Sequence, residues 1–329
     1  MKSVLGLPGL PGLRSVRRQI TFAAMLLVFA SLIGALEAAE VRDIAYTPPG
    51  ESRVMPLRVS APATGRRLPV VVFSHGAYAS KDDYSPILDH WADAGYVVIA
   101  VTHRDSTKLG VTRGSNNPKF FEWRLDDLQD VLDNLDAIVS QVPDLRRRVD
   151  LTRIAATGHS FGGLVAQTLG GATYNDVARA GLPVARADPR IRAVIIFSGA
   201  GAFAPLLAPE NFASLRLPTL VTVGTNDLKQ APDLSGYEWR RQPYDLIAPG
   251  RKYLLSLDGA DHYLGGIVGR DDLPRSDNAA LYLADFNRWS TTFLDAYLGD
   301  RRAARRELES LPESPAKRSV SKASTLEQR

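Results

Sequence analysis

Cysteine is absent from the 329 residues. Disulfides, cysteine-containing zinc sites and thiol nucleophiles are excluded together. The absence does not argue against export, because a domain of this size has enough core to stand without covalent staples. Charge of one sign is not clustered either. The formal net charge is +4, yet residues 1–40 carry four basic and two acidic side chains, and residues 300–329 carry eight and five. The body between them is close to neutral, which leaves no case for a nucleic-acid surface. Internal repeats are missing, and histidine is scarce, with five in the chain. Long apolar runs are missing but for one, residues 20–36.

That run follows Arg14, Arg17 and Arg18 and leads into Glu37-Ala38-Ala39-Glu40. A basic region, an apolar stretch and small residues are the parts of a secretory signal. Residues 1–39 are therefore expected to be a signal peptide, and the protein to be exported, periplasmic or secreted. At about 17 residues the stretch also reaches the lower limit of a spanning helix, so an uncleaved N-terminal anchor is the alternative. In that case it is the expected membrane contact. Arg17-Arg18 leaves the general and the twin-arginine export routes both open.

Short β-type runs alternate with helix-period segments from about residue 41 to 298. Residues 41–46 and 53–59 predict an edge hairpin. Residues 69–74, 96–101 and 193–197 are runs without polar alternation, as expected of strands covered on both faces. Residues 153–157, 220–223 and 253–257 complete the set. Phe121, Leu125, Leu128, Leu132, Leu135 and Ile138 recur at spacings of three and four and form one apolar stripe. Asp126, Asp127, Asp130, Asp133 and Asp136 fall largely off that stripe and read as a solvated helix face, not as a metal site. Residues 281–298 predict a closing helix. The class is α/β, a mostly parallel sheet of about eight strands with helices on both faces, over residues 40–299. Residues 300–329 mix Arg, Glu, Ser and Pro with few apolar side chains, which predicts a disordered tail.

Within that frame, Gly158-His159-Ser160-Phe161-Gly162 spells G-x-S-x-G. An apolar run of strand length precedes it and a helix-period segment follows. A serine on such a strand-to-helix turn projects its hydroxyl from the sheet edge, and flanking glycines let strand and helix approach closely. A serine hydroxyl is a poor nucleophile at neutral pH and needs a histidine base, itself held by a carboxylate. His159 lies inside the turn and reads as a packing residue, and His90 as a surface or interface residue. His75 and His103 precede the serine, against the order serine, acid, histidine that this kind of elbow requires. His262, in Gly259-Ala260-Asp261-His262-Tyr263 just beyond the last strand, fits that order. Between Ser160 and His262 the acid must follow a strand, and Asp227 does so directly. Asp188 precedes its strand, Asp261 is badly placed to hold its own neighbour, and Glu210 and Asp233 lie in loops.

An oxyanion hole needs two backbone N–H groups aimed at the developing charge. Phe161, next after the serine, predicts one. The loop after residues 69–74, His75-Gly76-Ala77-Tyr78, predicts the other from Ala77 or Tyr78, with His75 supporting the loop. The acyl pocket is expected between the loops 104–120, 173–188 and 199–215, which hold Phe203, Leu206, Leu207 and Phe212.

These residues together resemble the α/β-hydrolase superfamily, most closely its dienelactone-hydrolase-like and platelet-activating-factor-acetylhydrolase-like branch. The resemblance rests on residues 70–78 (VVVFSHGAY), His103, residues 123–132, residues 158–163 (GHSFGG), residues 224–227 and residues 260–263. It covers about residues 50–298. It implies a triad of Ser160, Asp227 and His262, no metal or other cofactor, and hydrolysis of a small-molecule ester or lipid. Dienelactone hydrolases use a cysteine nucleophile, so the serine here departs from that part of the pattern. Lipase or phospholipid acyl-hydrolase activity and acyl transfer are alternatives on the same chemistry. A binding protein without turnover is the alternative from another class.

Overall fold

The run from Leu68 to Ser74 lacks polar alternation because both of its faces are covered. In the computed structural model, which describes residues 38–179, 181–228, 233–270 and 272–329, Val70 and Val72 enter one apolar cluster. Val71 and Phe73 enter a second cluster on the opposite face. The signal or anchor expected at residues 1–39 lies outside the described residues, but for Ala38 and Ala39. No helix among the described residues is long and apolar enough to cross a membrane.

The chain lays down β1 (Glu40–Tyr46), β2 (Met55–Ala61), β3 (Leu68–Ser74), α1 (Ser85–Asp93), β4 (Val97–Val101), α2 (Phe120–Asp133) and α3 (Leu135–Val139). It continues with β5 (Val149–His159), α4 (Phe161–Leu169), β6 (Thr173–Asp176), β7 (Leu182–Ala185), β8 (Ile191–Phe197), β9 (Thr219–Gly224), α5 (Gly236–Leu246) and β10 (Lys252–Leu257). The last elements are α6 (Ala279–Tyr297), α7 (Arg302–Glu309), β11 (Arg318–Ser319) and β12 (Ser324–Gln328). Ten strands form one sheet in the order β1-β2-β4-β3-β5-β8-β9-β10-β12-β11, and β6 and β7 make a separate hairpin. From β4 to β10 the sheet is parallel. Antiparallel strands close both edges.

Leu125 and Leu128 of α2 and Leu164 and Val165 of α4 pack on one face. Ile87, Leu88 and Trp91 of α1 and Phe286, Trp289 and Phe293 of α6 pack on the other. The doubly covered parallel sheet is the one the sequence predicts, but with ten strands where about eight are expected. The two extra strands come from the segment expected to be a disordered tail. After Asp300 the chain forms α7 and then pairs β12 along the outer edge of β10. Leu308, Leu311, Ala323 and Leu326 are buried there. Few as they are, these apolar side chains find an open sheet edge whose free N–H and C=O groups supply the rest of the pairing. The aspartate row on α2 also needs correction: Asp127 is fully buried, whereas its neighbours Asp126, Asp130 and Asp133 are not.

Candidate active site

β5 ends at His159, and α4 begins at Phe161, so Ser160 alone makes the turn between strand and helix. Its backbone stands at φ 54° and ψ −116°, outside the regions L-residues ordinarily occupy. Such a turn forces its flanks together. A Cβ on Gly158 would lie 2.2 Å from the carbonyl oxygen of Gly162, and one on Gly162 would lie 1.9 Å from that of Ser74. Only glycine fits at either position, which is the physical reason for the G-x-S-x-G spacing.

Ser160 and His262 line one cavity of about 360 Å³. His262 is buried in the loop after β10, and its Nδ1 lies 2.7 Å from Asp227 Oδ1. Asp227 follows β9, as the sequence predicts, and its Oδ1 also accepts from the Leu228 N–H at 2.6 Å. The two loops are joined by a hydrogen bond from the Asn226 N–H to the Ala260 carbonyl, 3.0 Å. Because Nδ1 faces a carboxylate, it carries the proton, and Nε2 keeps its lone pair. Burial holds His262 below the usual imidazole range, and the hydrogen bond and charge of Asp227 only partly offset this. Burial alone would raise the Asp227 carboxyl, but the His262 hydrogen bond and the charges of His262 and Arg240 outweigh it and hold the group low. Asp261 does not touch the His262 ring. It accepts from the N–H groups of Tyr263 (3.0 Å) and Gly265 (2.6 Å) and so shapes the loop.

Of the two loop residues expected as oxyanion donors, the Tyr78 N–H is engaged with Asp105 Oδ2 at 3.3 Å. Ala77 lines the cavity together with Ser160. Arg124, fully buried, holds that loop from behind. Its guanidinium donates to the carbonyls of His75 (2.5 Å) and Gly76 (3.0 Å) and pairs with Asp105 at 2.7 Å. Burial would raise the Asp105 carboxyl, but Arg124 pulls it down to about 2. His75 is itself buried in this network and accepts from the His103 N–H at 2.9 Å.

Sequence reasoning passed over Arg124, Arg240 and Tyr84, and read Asp127 as part of a solvated helix face. Arg124 sits between Phe121 and Leu128 on the apolar stripe, and a charge in that position was the available signal. Arg240, buried in α5, forms an ion pair of 3.3 Å with Asp227 and donates to the carbonyls of Ser198 and Gly199. Tyr84 and Asp127 gave no local signal, because their partners are distant in the chain. His90, by contrast, lies half-buried against Thr291 as an inter-helix contact, in keeping with a surface or interface residue.

The expected pocket walls are only partly right. Arg113 and Gly114 of the 104–120 loop line the cavity. Leu207 and Phe212 instead belong to the core, and Phe203 stacks near Trp239. The cavity is walled by Tyr78, Tyr84 and Tyr263 and by Arg113, Arg240 and Arg270. Leu228 is its one aliphatic side chain larger than alanine among the described residues. Apolar spacing within a loop does not reveal whether a side chain turns toward the core or toward a cavity.

Parts of the sequence are similar to those of known proteins. A family model described as chlorophyllase matches residues 28–178, a stretch that includes the Ser160 turn and stops before Asp227 and His262. Chlorophyllase-1 of Arabidopsis thaliana is 31% identical over 80 residues, 24% of this chain and 25% of the relative. Platelet-activating factor acetylhydrolase of Cavia porcellus is 29% identical over 143 residues, 32% of this chain and 33% of the relative. The matches thus span a quarter to a third of these relatives' lengths.

Proposed function

We propose that the chain, which belongs to the α/β-hydrolase superfamily in its platelet-activating-factor-acetylhydrolase-like branch, is a serine-dependent carboxylic-ester hydrolase working through an acyl-enzyme. The observation that carries this reading is the presence in one cavity of a serine at φ 54° and a histidine held by an aspartate. Ser160 Oγ attacks the ester carbonyl while His262 Nε2 takes its proton. The same nitrogen then delivers that proton to the leaving alcohol, and Asp227 stabilises the imidazolium between these steps. The oxyanion is received by the N–H of Phe161, at the positive end of α4, and by that of Ala77. Water then repeats the cycle on the acyl-enzyme.

The cavity composition supports a short acyl group over a long one. Among the described residues, one leucine beside tyrosines and arginines offers little aliphatic wall for a C16 chain, whose burial would otherwise contribute about 0.8 kcal/mol per methylene. The name of the guinea-pig relative, an acetylhydrolase, agrees with a small acyl group. Export remains part of the proposal and rests on the basic, apolar and small-residue order of residues 14–40. The test is labelling with a fluorophosphonate and location of the adduct by mass spectrometry, beside a p-nitrophenyl ester series from C2 to C16. An adduct on the Ser160 peptide and highest kcat/KM at C2 to C4, unaffected by EDTA, is the expected result. Labelling elsewhere, or activity lost with EDTA, rejects it.

A further inference from the structure

We propose that Tyr84 and His159 are positioning residues: a hydrogen-bonded strut, running through the residue before Ser160, that ties the oxyanion loop to the loop of the base. The proposal rests on the reading of Ser160, His262 and Asp227 given above and concerns what holds their surroundings in register.

The strut has three bonds. The Gly76 N–H donates to Tyr84 Oη at 3.0 Å. Tyr84 Oη and His159 Nδ1 are 2.7 Å apart. His159 Nε2 and the carbonyl oxygen of His262 are 2.8 Å apart. The polarity of the chain is fixed at its end, because a carbonyl only accepts. His159 Nε2 therefore carries the hydrogen and Nδ1 the lone pair, so the Tyr84 hydroxyl donates to Nδ1 while its oxygen accepts from Gly76. The other neutral tautomer would set a lone pair against the His262 carbonyl. An imidazolium would aim Nδ1–H and the Gly76 N–H at the same Tyr84 oxygen and take from the Tyr84 hydroxyl hydrogen its acceptor. One arrangement satisfies every polar atom.

Burial enforces the same state. Both rings are buried, with Tyr84 against Phe73 at 4.8 Å and His159 against Phe197 at 4.4 Å between ring centres. Desolvation holds His159 well below the usual imidazole range and Tyr84 above the usual phenol range. The strut therefore stays uncharged over the pH range in which His262 serves as base.

Its endpoints give it a purpose. Gly76 precedes Ala77, whose N–H is assigned to the oxyanion, and the third bond grips the backbone of His262 itself. His159 is the residue before Ser160. One side chain thus references donor loop and base loop to the nucleophile's own turn. A misplacement of about 1 Å in such a constellation costs on the order of 10²-fold in rate. A separate backbone bond, from the Gly269 N–H to the Asp83 carbonyl at 2.8 Å, joins the same two segments. Cutting the strut therefore leaves them tied, and the protein folded, but no longer in register.

Two substitutions test this. Tyr84→Phe removes the central hydroxyl. Gly76→Ala leaves Tyr84 and His159 intact but drives a Cβ to 3.0 Å from both His159 Nδ1 and Tyr84 Oη, wedging the strut open. For each, kcat and KM are measured on p-nitrophenyl acetate and normalised to serine labelled to completion by fluorophosphonate, beside the melting temperature. The expected result is a fall in kcat per labelled serine of roughly 10- to 100-fold with KM changed less than about threefold. A kcat within twofold of the parent in both variants, with only the melting temperature lowered, overturns the proposal and leaves a buried polar packing motif. Should Tyr84→Phe fail to fold, Gly76→Ala decides alone. A parent protein that neither labels nor hydrolyses refutes the ester-hydrolase reading instead, so the two failures are told apart.

Discussion

Two serine–histidine–aspartate sets lie in this molecule, and side-chain chemistry alone does not separate them. In the inner set, Ser74 Oγ lies 2.9 Å from His103 Nε2, and His103 Nδ1 lies 2.9 Å from Asp127 Oδ2. In the outer set, His262 Nδ1 lies 2.7 Å from Asp227 Oδ1, and Ser160 shares its cavity. Both histidines are held below their usual range by burial. The differences are access and backbone. Ser74, His103 and Asp127 are wholly buried, and Ser74 ends a regular strand. Ser160 sits half-buried at a strained turn, with the first N–H groups of a helix beside it. A hydroxyl becomes a candidate nucleophile where a carbonyl carbon and an oxyanion hole can both reach it. The inner set satisfies its own polar atoms and stiffens the base of the oxyanion loop.

The largest expected effect breaks the symmetry outright. Ser160→Ala lowers kcat by about 10⁶, the usual cost of removing a triad nucleophile, with an unchanged circular dichroism spectrum. A folded variant retaining more than a few per cent of turnover would sink the assignment and reopen the search for a nucleophile.

The acids give the next contrast. Asp227→Asn is expected to cost roughly 10⁴ in kcat, because the amide cannot hold His262 in the tautomer that accepts the serine proton. Asp261→Asn costs far less, since its carboxylate meets only backbone N–H groups. Asp127→Asn acts on stability instead. It removes the buried carboxylate on which His103, Arg53 and Arg104 converge, a change worth roughly 3 kcal/mol or more. Measured kcat/KM and melting temperatures of the three variants decide the matter. Greater damage to turnover from Asp261→Asn than from Asp227→Asn would show that the acid is misassigned.

Acidification separates the sets in a third way. His262 accepts a proton only while neutral, and burial places its folded value below the ordinary 6.5 or so. The acid limb of kcat/KM is therefore expected below pH 6.5. Arg240, which pushes His262 downward, can be removed as Arg240→Gln, and the limb then moves to higher pH. Stability follows a related course. His75, His103, His159 and His262 are all depressed in the folded state, so between their folded values and about 6.5 the unfolded chain binds more protons. Their contribution is complete above about pH 6.5 and is lost as pH falls through that window. A melting temperature that rises on acidification from pH 7 to 5 would contradict this.

Much of this was legible in the sequence, for reasons that also mark where legibility ends. Six strands announce themselves as apolar runs because a parallel sheet buries both faces of a strand such as β3. The strand β12, Ser-Thr-Leu-Glu-Gln, carries no such run and becomes a strand only because β10 offers it an open edge. The elbow is local, written in two glycines that no Cβ could replace. Asp227 and His262 follow from chain order and from their places after β9 and β10. Tyr84 and His159 do not, since their bond joins residues 75 positions apart and leaves no periodicity. His159 reads as a packing residue because sequence shows the ring and not the two atoms it bridges.

The smallest expected effect sharpens the comparison most. His103 Nδ1 faces the Asp127 carboxylate and so carries the hydrogen, which makes Nε2 an acceptor and the Ser74 hydroxyl its donor. Ser74→Ala leaves that buried nitrogen unpaired, at a cost of roughly 1–3 kcal/mol. In a domain of this size that is a fall in melting temperature of about 2–6 °C. The oxyanion loop keeps its hold through Arg124, which grips His75 and Gly76 by their carbonyls without needing Ser74. Turnover per labelled Ser160 should therefore stay within about threefold of the parent. If Ser74→Ala instead removed most of the turnover while leaving the melting temperature unchanged, the inner set would be part of the catalytic machinery, and access would not be what separates the two.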